Sequence, residues 1–145
     1  MASKKSILFV CRENVGRSQA AACFARGYTN HTILSAGIQV DSPGQKLIDN
    51  PHSSHFLSAM DELGFNLRNS SRSLLTPDMM KSSEVVIILA EVDVIPTWIT
   101  DARHPRMELW DTEDMKGLSK SDSRYIIAGI RDRVESFLNN YTLAI

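Results

Sequence analysis

The chain has 145 residues and a formal net charge of −1; 43% of its residues are hydrophobic and 23% are charged. These proportions are those of an ordinary globular domain, so they argue against a disordered chain and against a membrane protein. The balanced charge provides no basic field for nucleic acid or an anionic membrane, so we expect neither partner, and anion recognition has to be local. A single domain over residues 1–145 is expected.

The lack of a recognisable secretory signal and the low cysteine content favour a cytoplasmic protein. The residues before the first apolar run do not form a secretory signal, and no apolar stretch approaches the roughly 20 residues that span a bilayer. In the cytoplasm a disulfide between Cys11 and Cys23 is not expected, and Cys23 is interpreted as a small buried side chain on a helix.

Apolar runs alternate with amphipathic segments along the chain, which predicts strands that alternate with helices. The first strand is predicted over residues 5–10. The helix that starts near Arg17 is expected to end in a left-handed cap at Gly27 and to place Tyr28 on its packed face. Further strands are predicted over residues 31–36, 84–90 and 106–110, and further helices over residues 56–63, from Pro77 with Thr76 as its cap, and from about Ser121.

This alternation predicts a three-layer α/β sandwich with a parallel sheet of four strands. Ligands of such sheets bind outside the carboxyl ends of the strands. Four segments are expected to meet at that rim, because each follows or ends a predicted strand: Cys11, Ser35, residues 90–93 and residues 110–114.

The stretch from Cys11 to Arg17 has the features of an anion site that holds a nucleophile. A helix N terminus follows the loop, so unpaired backbone N–H groups and the positive end of the helix dipole point into it. Arg17 can add a planar fork to two oxygens of a tetrahedral anion. Cysteines beside a helix N terminus and a cation ionise readily, so the sequence predicts a thiolate at Cys11. The predicted phosphate-binding residues are Arg12, Glu13, Asn14, Val15, Gly16, Arg17 and Ser18.

Three motifs resemble those of one known family: Phe9-Val10-Cys11, Asn14 with Arg17-Ser18, and Ser35-Ala36-Gly37. That family is the low-molecular-weight protein tyrosine phosphatase superfamily, which also contains arsenate reductases of similar fold. The resemblance covers most of the chain and implies the strand order 2-1-3-4. The segment from Trp110 to Asp114 lies where the family carries its acid-bearing loop.

The resemblance also implies a reaction without metal or cofactor. Cys11 would attack phosphorus to form a cysteinyl-phosphate, which water later hydrolyses. Asp114 would protonate the leaving group and then activate the water, although Asp111 in the same segment leaves the choice of acid open. None of the four histidines has metal-ligand spacing with a cysteine.

Two supporting roles are implied by the same resemblance. Asn14 would hold the loop through hydrogen bonds with groups such as Ser35, and the Ser18 hydroxyl would stabilise the Cys11 thiolate. Simpler roles remain open, because asparagine favours left-handed turn positions and serine often caps a helix.

The chain departs from the family pattern at several positions. Glu13 replaces a glycine and is expected to point outward, and Gly16 replaces the second cysteine that forms a protective disulfide in many members. Met115 stands where a proline usually follows the acid, which predicts a less rigid loop. Gln19 after Ser18 resembles the arsenate reductase branch.

We expect a cysteine-dependent phosphatase that acts on phosphotyrosine or a similar aryl phosphate, presented by a protein or a small molecule. Thioredoxin-coupled arsenate reduction needs further cysteines, and residues 83–99 contain none. A single-cysteine arsenate reductase coupled to a small thiol is the alternative, since its site would also bind phosphate, arsenate or another tetrahedral oxyanion. A non-catalytic phosphate-binding module is a second alternative. Arg12, Trp98 and Trp110 could line the mouth and stack on a phenyl ring, or the tryptophans could be packing residues.

Overall fold

The computed structural model describes residues 6–143, and within them four strands form one parallel sheet in the order β2-β1-β3-β4. The strands are β1 (Ser6–Cys11), β2 (Thr32–Gly37), β3 (Val85–Leu89) and β4 (Met107–Trp110). The helices are α1 (Arg17–Tyr28), α2 (Ser54–Glu62), α3 (Pro77–Ser82), α4 (Thr97–Asp101) and α5 (Lys120–Leu143). The predicted fold class and strand order are confirmed.

Alternate residues of β1 face two separate cores. Ile7 and Phe9 pack into the larger core, which α1, α2 and α5 cover, whereas Leu8 and Val10 pack into a smaller core on the other face with residues of α3 and α4. Strand β3 is buried along its whole length, as its uninterrupted apolar run predicts. Among the described helices, none has both the length and the apolar character that crossing a bilayer would require.

The ends of the helices agree with some of the local predictions and contradict others. Thr76 caps α3, since its side chain accepts a hydrogen bond from the Met79 backbone N–H. The expected left-handed cap at Gly27 is wrong, because α1 continues to Tyr28 and Gly27 does not adopt a positive φ. Tyr28 is 47% exposed because it lies in the last turn, beyond the packed face of the helix. The sequence analysis also missed α4, which begins after Pro96.

Strand β2 continues against the loop that follows β1. The backbone N–H of Ile38 donates to the Cys11 carbonyl oxygen at 2.9 Å, and a side chain at Gly37 would place its Cβ 2.8 Å from both the Asn14 nitrogen and the Glu13 carbonyl carbon. Since Gly37 has an ordinary φ, this close approach is what requires a glycine there. The requirement for glycine at position 37 is therefore steric.

We expect Gly37→Ala to destabilise the fold by about 1–3 kcal/mol, because backbone atoms of the neighbouring loop have to move to admit the methyl group. Thermal or chemical unfolding measures the change. Gly129→Ala is the matched control: Gly129 lies exposed within α5 with open space around its Cα, so the same substitution should stabilise the helix by roughly 1 kcal/mol. Equal effects of the two substitutions would contradict this account of Gly37.

Candidate active site

A pocket of about 240 Å³ opens at the carboxyl ends of the strands. Its floor is the phosphate loop, residues 11–17, which joins β1 to α1, and one wall is the acid loop, residues 111–118, which follows β4. Cys11, Arg17 and Asp114 all line this pocket. The structure therefore brings together the three residues that the sequence analysis assigned to catalysis.

The Cys11 sulfur is almost fully buried and has two neighbours that can donate hydrogen bonds. The backbone N–H of Asn14 points to Sγ at 3.3 Å, and the Ser18 hydroxyl lies 3.0 Å from it. Both contacts favour negative charge on sulfur, because each donor is fixed in place before any substrate binds.

The direction of the Ser18 hydrogen bond follows from its neighbours. The side-chain oxygen of Asn14 accepts from the Ser73 backbone N–H at 2.8 Å and from Gln19 Nε2 at 3.2 Å. The Asn14 side-chain N–H₂ therefore donates, and it reaches Ser18 Oγ at 2.7 Å. The Ser18 hydroxyl thus accepts from Asn14, and toward a Cys11 thiolate, which has no proton to donate, it is the hydrogen-bond donor.

Asn14 combines the two roles that the sequence analysis left as alternatives. Its φ of 57° is left-handed, and its buried side chain also carries the hydrogen-bond relay. The predicted contact with Ser35 is wrong: Ser35 lies inside β2 opposite Phe9, two residues short of the strand end. Ser73 and Gln19 take its place, and Gln19 is a site residue that sequence reasoning used only as a branch marker.

The phosphate loop keeps several donors free for an oxyanion. Within residues 6–143, the backbone N–H groups of Glu13, Val15 and Gly16 have no protein acceptor. Arg17 Nη1 is engaged by neighbours, while its Nε and Nη2 form no hydrogen bond with the described residues. These two nitrogens form one edge of the guanidinium, so Arg17 presents a two-pronged donor together with the loop amides. Arg12 instead lies exposed, with its Nε 3.3 Å from Gln39 Oε1.

Glu91 lies two residues after β3, within the segment 90–93 that was predicted to lie at the rim, but no role was predicted for this residue itself. Its Oε1 accepts from Arg17 Nη1 at 3.0 Å and also from the backbone N–H of Asp114 at 3.0 Å. Arg17 Nη1 donates in addition to the Thr112 carbonyl oxygen at 2.7 Å. One carboxylate thus ties the anion-binding arginine to the acid loop. Its position after a buried strand was the available signal, because that is the rim where ligands bind.

The two carboxylate oxygens of Asp114 have different surroundings. Oδ1 accepts from the Lys116 backbone N–H at 3.0 Å, whereas Oδ2 lies 3.9 Å from Arg17 Nη2 and faces the phosphate loop. Oδ2 is therefore the carboxylate oxygen that is left open toward the phosphate loop. Asp111 is exposed and does not line the pocket, whereas Asp114 does.

Met115 packs where the family pattern has a proline. A Cβ on Gly16 would lie 2.9 Å from Met115 Cε, so the methionine occupies the space that a side chain at position 16 would need. Met115 is 8% exposed and belongs to the larger core. Two contacts therefore hold the acid loop although the proline is absent. The Met115 side chain packs into the larger core, and the Glu91 carboxylate accepts a hydrogen bond from the Asp114 backbone N–H.

The pocket is lined by both polar and apolar side chains. Trp110 is 2% exposed and packs edge-on to Phe137, while neither Trp98 nor Trp110 lines the pocket, so the suggested aromatic stacking is wrong. The carboxylate of Glu13 lies 3.8 Å from Lys116 Nζ, which joins the two loops across the rim. The remaining polar residues that line the mouth are Asn50, His52, Ser54, His55 and Ser123.

Cys23 lies on α1 and is half-buried against the larger core. Burial raises the pKa of its thiol, and the nearby charges of Arg26 and Arg131 only partly oppose that rise. Cys23 therefore stays protonated near neutral pH, as expected for a packing residue. Among residues 6–143 no cluster of three or more histidine, cysteine or acidic side chains is placed to hold a metal ion.

A family model described as low molecular weight phosphotyrosine protein phosphatase matches residues 6–143. The chain belongs to this family. An arsenate reductase from Staphylococcus aureus strain Newman is 28% identical to it over 139 residues, which cover 93% of this chain and 97% of the reductase.

Solved structures show the same fold with different activities. A YwlE mutant from Bacillus subtilis has a TM-score of 0.80 and 21% identity, covering 96% of this chain and 99% of that one. An arsenate reductase in its phosphate binding state has a TM-score of 0.72 and 26% identity, covering 94% and 98%. The chain is thus similar both to a member of the phosphatase fold and to arsenate reductases, and family membership alone does not choose between the reactions.

We expect Glu91→Ala to free the acid loop, because the Asp114 amide and Arg17 lose their shared acceptor. Hydrogen exchange of the Asp114 amide, followed by mass spectrometry or NMR, should accelerate roughly tenfold. Asp93→Ala is the matched control, since Asp93 is exposed two residues away and its side chain forms no hydrogen bond or ion pair with the described residues. Unchanged exchange at Asp114 in Glu91→Ala would show that this carboxylate does not hold the loop.

Proposed function

We propose that the protein is a phosphatase that hydrolyses phosphotyrosine or a similar aryl phosphate through a cysteinyl-phosphate. The observation that carries this proposal is that Asp114 and Cys11 line one pocket, with Asp114 Oδ2 facing the phosphate loop 3.9 Å from Arg17. An oxyanion bound above Cys11 would therefore have a nucleophile on one side and a proton donor near its leaving group.

Binding of the phosphoryl group would use the donors that are free in the structure. The amides of the phosphate loop and the Nε and Nη2 edge of Arg17 would surround three oxygens, and the fourth would remain with the leaving group. Since these donors are fixed by the loop, they are already arranged for the charge that develops as the phosphoryl group transfers.

The first chemical step forms the bond between Cys11 sulfur and phosphorus and breaks the bond to the ester oxygen. The leaving oxygen takes the proton from Asp114 Oδ2, so the product leaves as a neutral alcohol or phenol. In the second step Asp114 takes a proton from water, whose oxygen bonds to phosphorus as the sulfur leaves. Phosphate is released, and Cys11 returns as a thiolate that Ser18 and the Asn14 amide stabilise.

Arsenate reduction is the second candidate, favoured by the 28% identity to an arsenate reductase and by Gln19 after Ser18. Cys11 would displace water or hydroxide from arsenate, and two molecules of an external thiol would supply the two electrons, leaving arsenite and a disulfide. Cys23 has no part in this proposal, because it lies half-buried on α1 and does not line the pocket. Both candidates place the protein in the cytoplasm, where small thiols and phosphoproteins are available.

Cys11→Ser should abolish hydrolysis of p-nitrophenyl phosphate, since a serine hydroxyl there is a far weaker nucleophile than a thiolate. Binding of phosphate or arsenate, measured by calorimetry, should remain because the loop amides and Arg17 are unchanged. Cys23→Ser is the control and should keep full activity. Full turnover in Cys11→Ser would overturn the covalent mechanism.

The two candidate reactions separate when wild type and Asp114→Asn are assayed side by side. A phosphatase should hydrolyse phosphotyrosine in wild type and lose about 10²- to 10⁴-fold in kcat in Asp114→Asn, because the leaving group loses its acid. A reductase should convert arsenate to arsenite with glutathione, mycothiol or bacillithiol and hydrolyse phosphotyrosine poorly. Phosphate binding with neither turnover, unaffected by Asp114→Asn, would instead identify a binding module.

A further inference from the structure

We propose that Arg72 is a positioning residue of the site: it fixes the peptide between Glu13 and Asn14, and through the Asn14 amide it fixes the environment of the Cys11 sulfur. Arg72 lies in the segment between α2 and α3 and does not line the pocket. The inference rests on the proposed function only in assigning Cys11 as the nucleophile.

The guanidinium of Arg72 is buried, with 2% exposure, and all three of its nitrogens are engaged. Nε and Nη2 donate to the Glu13 carbonyl oxygen at 3.1 and 3.0 Å. Nη1 donates to Asp41 Oδ1 at 2.7 Å and to Gln45 Oε1 at 2.9 Å. The hydrogen bond from Arg72 holds the pKa of the Asp41 carboxyl below its usual range.

The orientation of one peptide connects Arg72 to the sulfur. In a trans peptide the carbonyl and the following N–H point in opposite directions. Arg72 holds the Glu13 carbonyl on the outer side of the phosphate loop, so the Asn14 N–H has to point inward, where it lies 3.3 Å from Cys11 Sγ. Arg72, buried on the outer side of the loop, thereby determines that the Asn14 N–H, and not the Glu13 carbonyl oxygen, faces the Cys11 sulfur.

This restraint matters because the local backbone is strained. Asn14 has a φ of 57°, a conformation that most residues other than glycine avoid. If the peptide rotated, the sulfur would lose a donor and the Glu13 carbonyl oxygen would face the anion site. The lone pairs of the Glu13 carbonyl oxygen would then face a negatively charged ligand in place of the Asn14 N–H. Both the stability of the thiolate and the binding of an anion should therefore weaken.

The test is alkylation of Cys11 by iodoacetamide across a range of pH in a Cys23→Ser background. Alkylation needs only the thiolate, so it reads the sulfur environment whether or not the protein is a phosphatase. In Arg72→Lys the side chain keeps its charge but loses the two-pronged grip, and the pH of half-maximal reaction should rise by on the order of one unit. Protection of Cys11 by inorganic phosphate should require roughly tenfold more phosphate.

Arg68→Lys is the matched control. Arg68 lies four residues earlier and pairs with Asp61 on the surface without touching the phosphate loop, so its alkylation profile should equal that of the Cys23→Ser parent. The other ionisable groups that line the pocket are unchanged in both variants: Glu13, Arg17, His52, His55, Asp114 and Lys116.

Unfolding curves show which variants are folded, and only folded variants are compared in the alkylation experiment. A folded Arg72→Lys protein with the parental alkylation profile would overturn the proposal. Arg72→Gln is the second variant, since its amide can still donate one hydrogen bond to the Glu13 carbonyl and should give a shift of the same sign. Failure of both variants to fold would also overturn the proposal, because Arg72 would then serve overall stability. A shifted profile without phosphatase activity would support the role of Arg72 and reject only the proposed reaction.

Discussion

A loop can turn its amide groups toward an anion only if its carbonyl groups and its strained residues are held from the outside. That constraint organises this molecule around the phosphate loop. Carbonyls of the loop bond to Gln39, Gln19 and Arg72, and the Asn14 side chain is oriented by Ser73 and Gln19. Apart from Gln19, which lies on α1, these partners come from residues 38–45 and 70–73, which support the phosphate loop although none of them lines the pocket.

In the acid loop, side-chain contacts take the place of the proline that the family pattern has after the acid. A proline restricts a loop through its ring, whereas here the restriction comes from packing and charge. Met115 fills the space above Gly16, and Glu91 accepts from the Asp114 amide. Changes at two positions thus belong together: the absence of a side chain at position 16 leaves room for the methionine that stands in place of the proline.

The sequence was sufficient for the parts of the fold that depend on local pattern. The buried run of β3, the cap at Thr76 and the position of Cys11 at the end of β1 all followed from residue types in order. The predicted cap at Gly27 and the predicted burial of Tyr28 were wrong, because α1 continues through Gly27 and its last turn is exposed. Contacts made by long polar side chains could not be predicted one by one, since Glu91 lies 74 residues from its partner Arg17 and Arg72 lies 59 residues from its partner Glu13.

The Arg17 guanidinium contacts the acid loop and also presents donors to an anion, so loop order and anion binding are thermodynamically coupled. One nitrogen of its guanidinium holds the Thr112 carbonyl and Glu91, while the opposite edge is free for an anion. An anion that steadies the guanidinium would also steady the loop that carries Asp114, and by linkage the ordered loop would bind the anion more tightly by the same coupling free energy. In the proposed phosphatase reaction, product phosphate would be retained by the ordered loop, so loosening the acid loop would provide a route to faster product release.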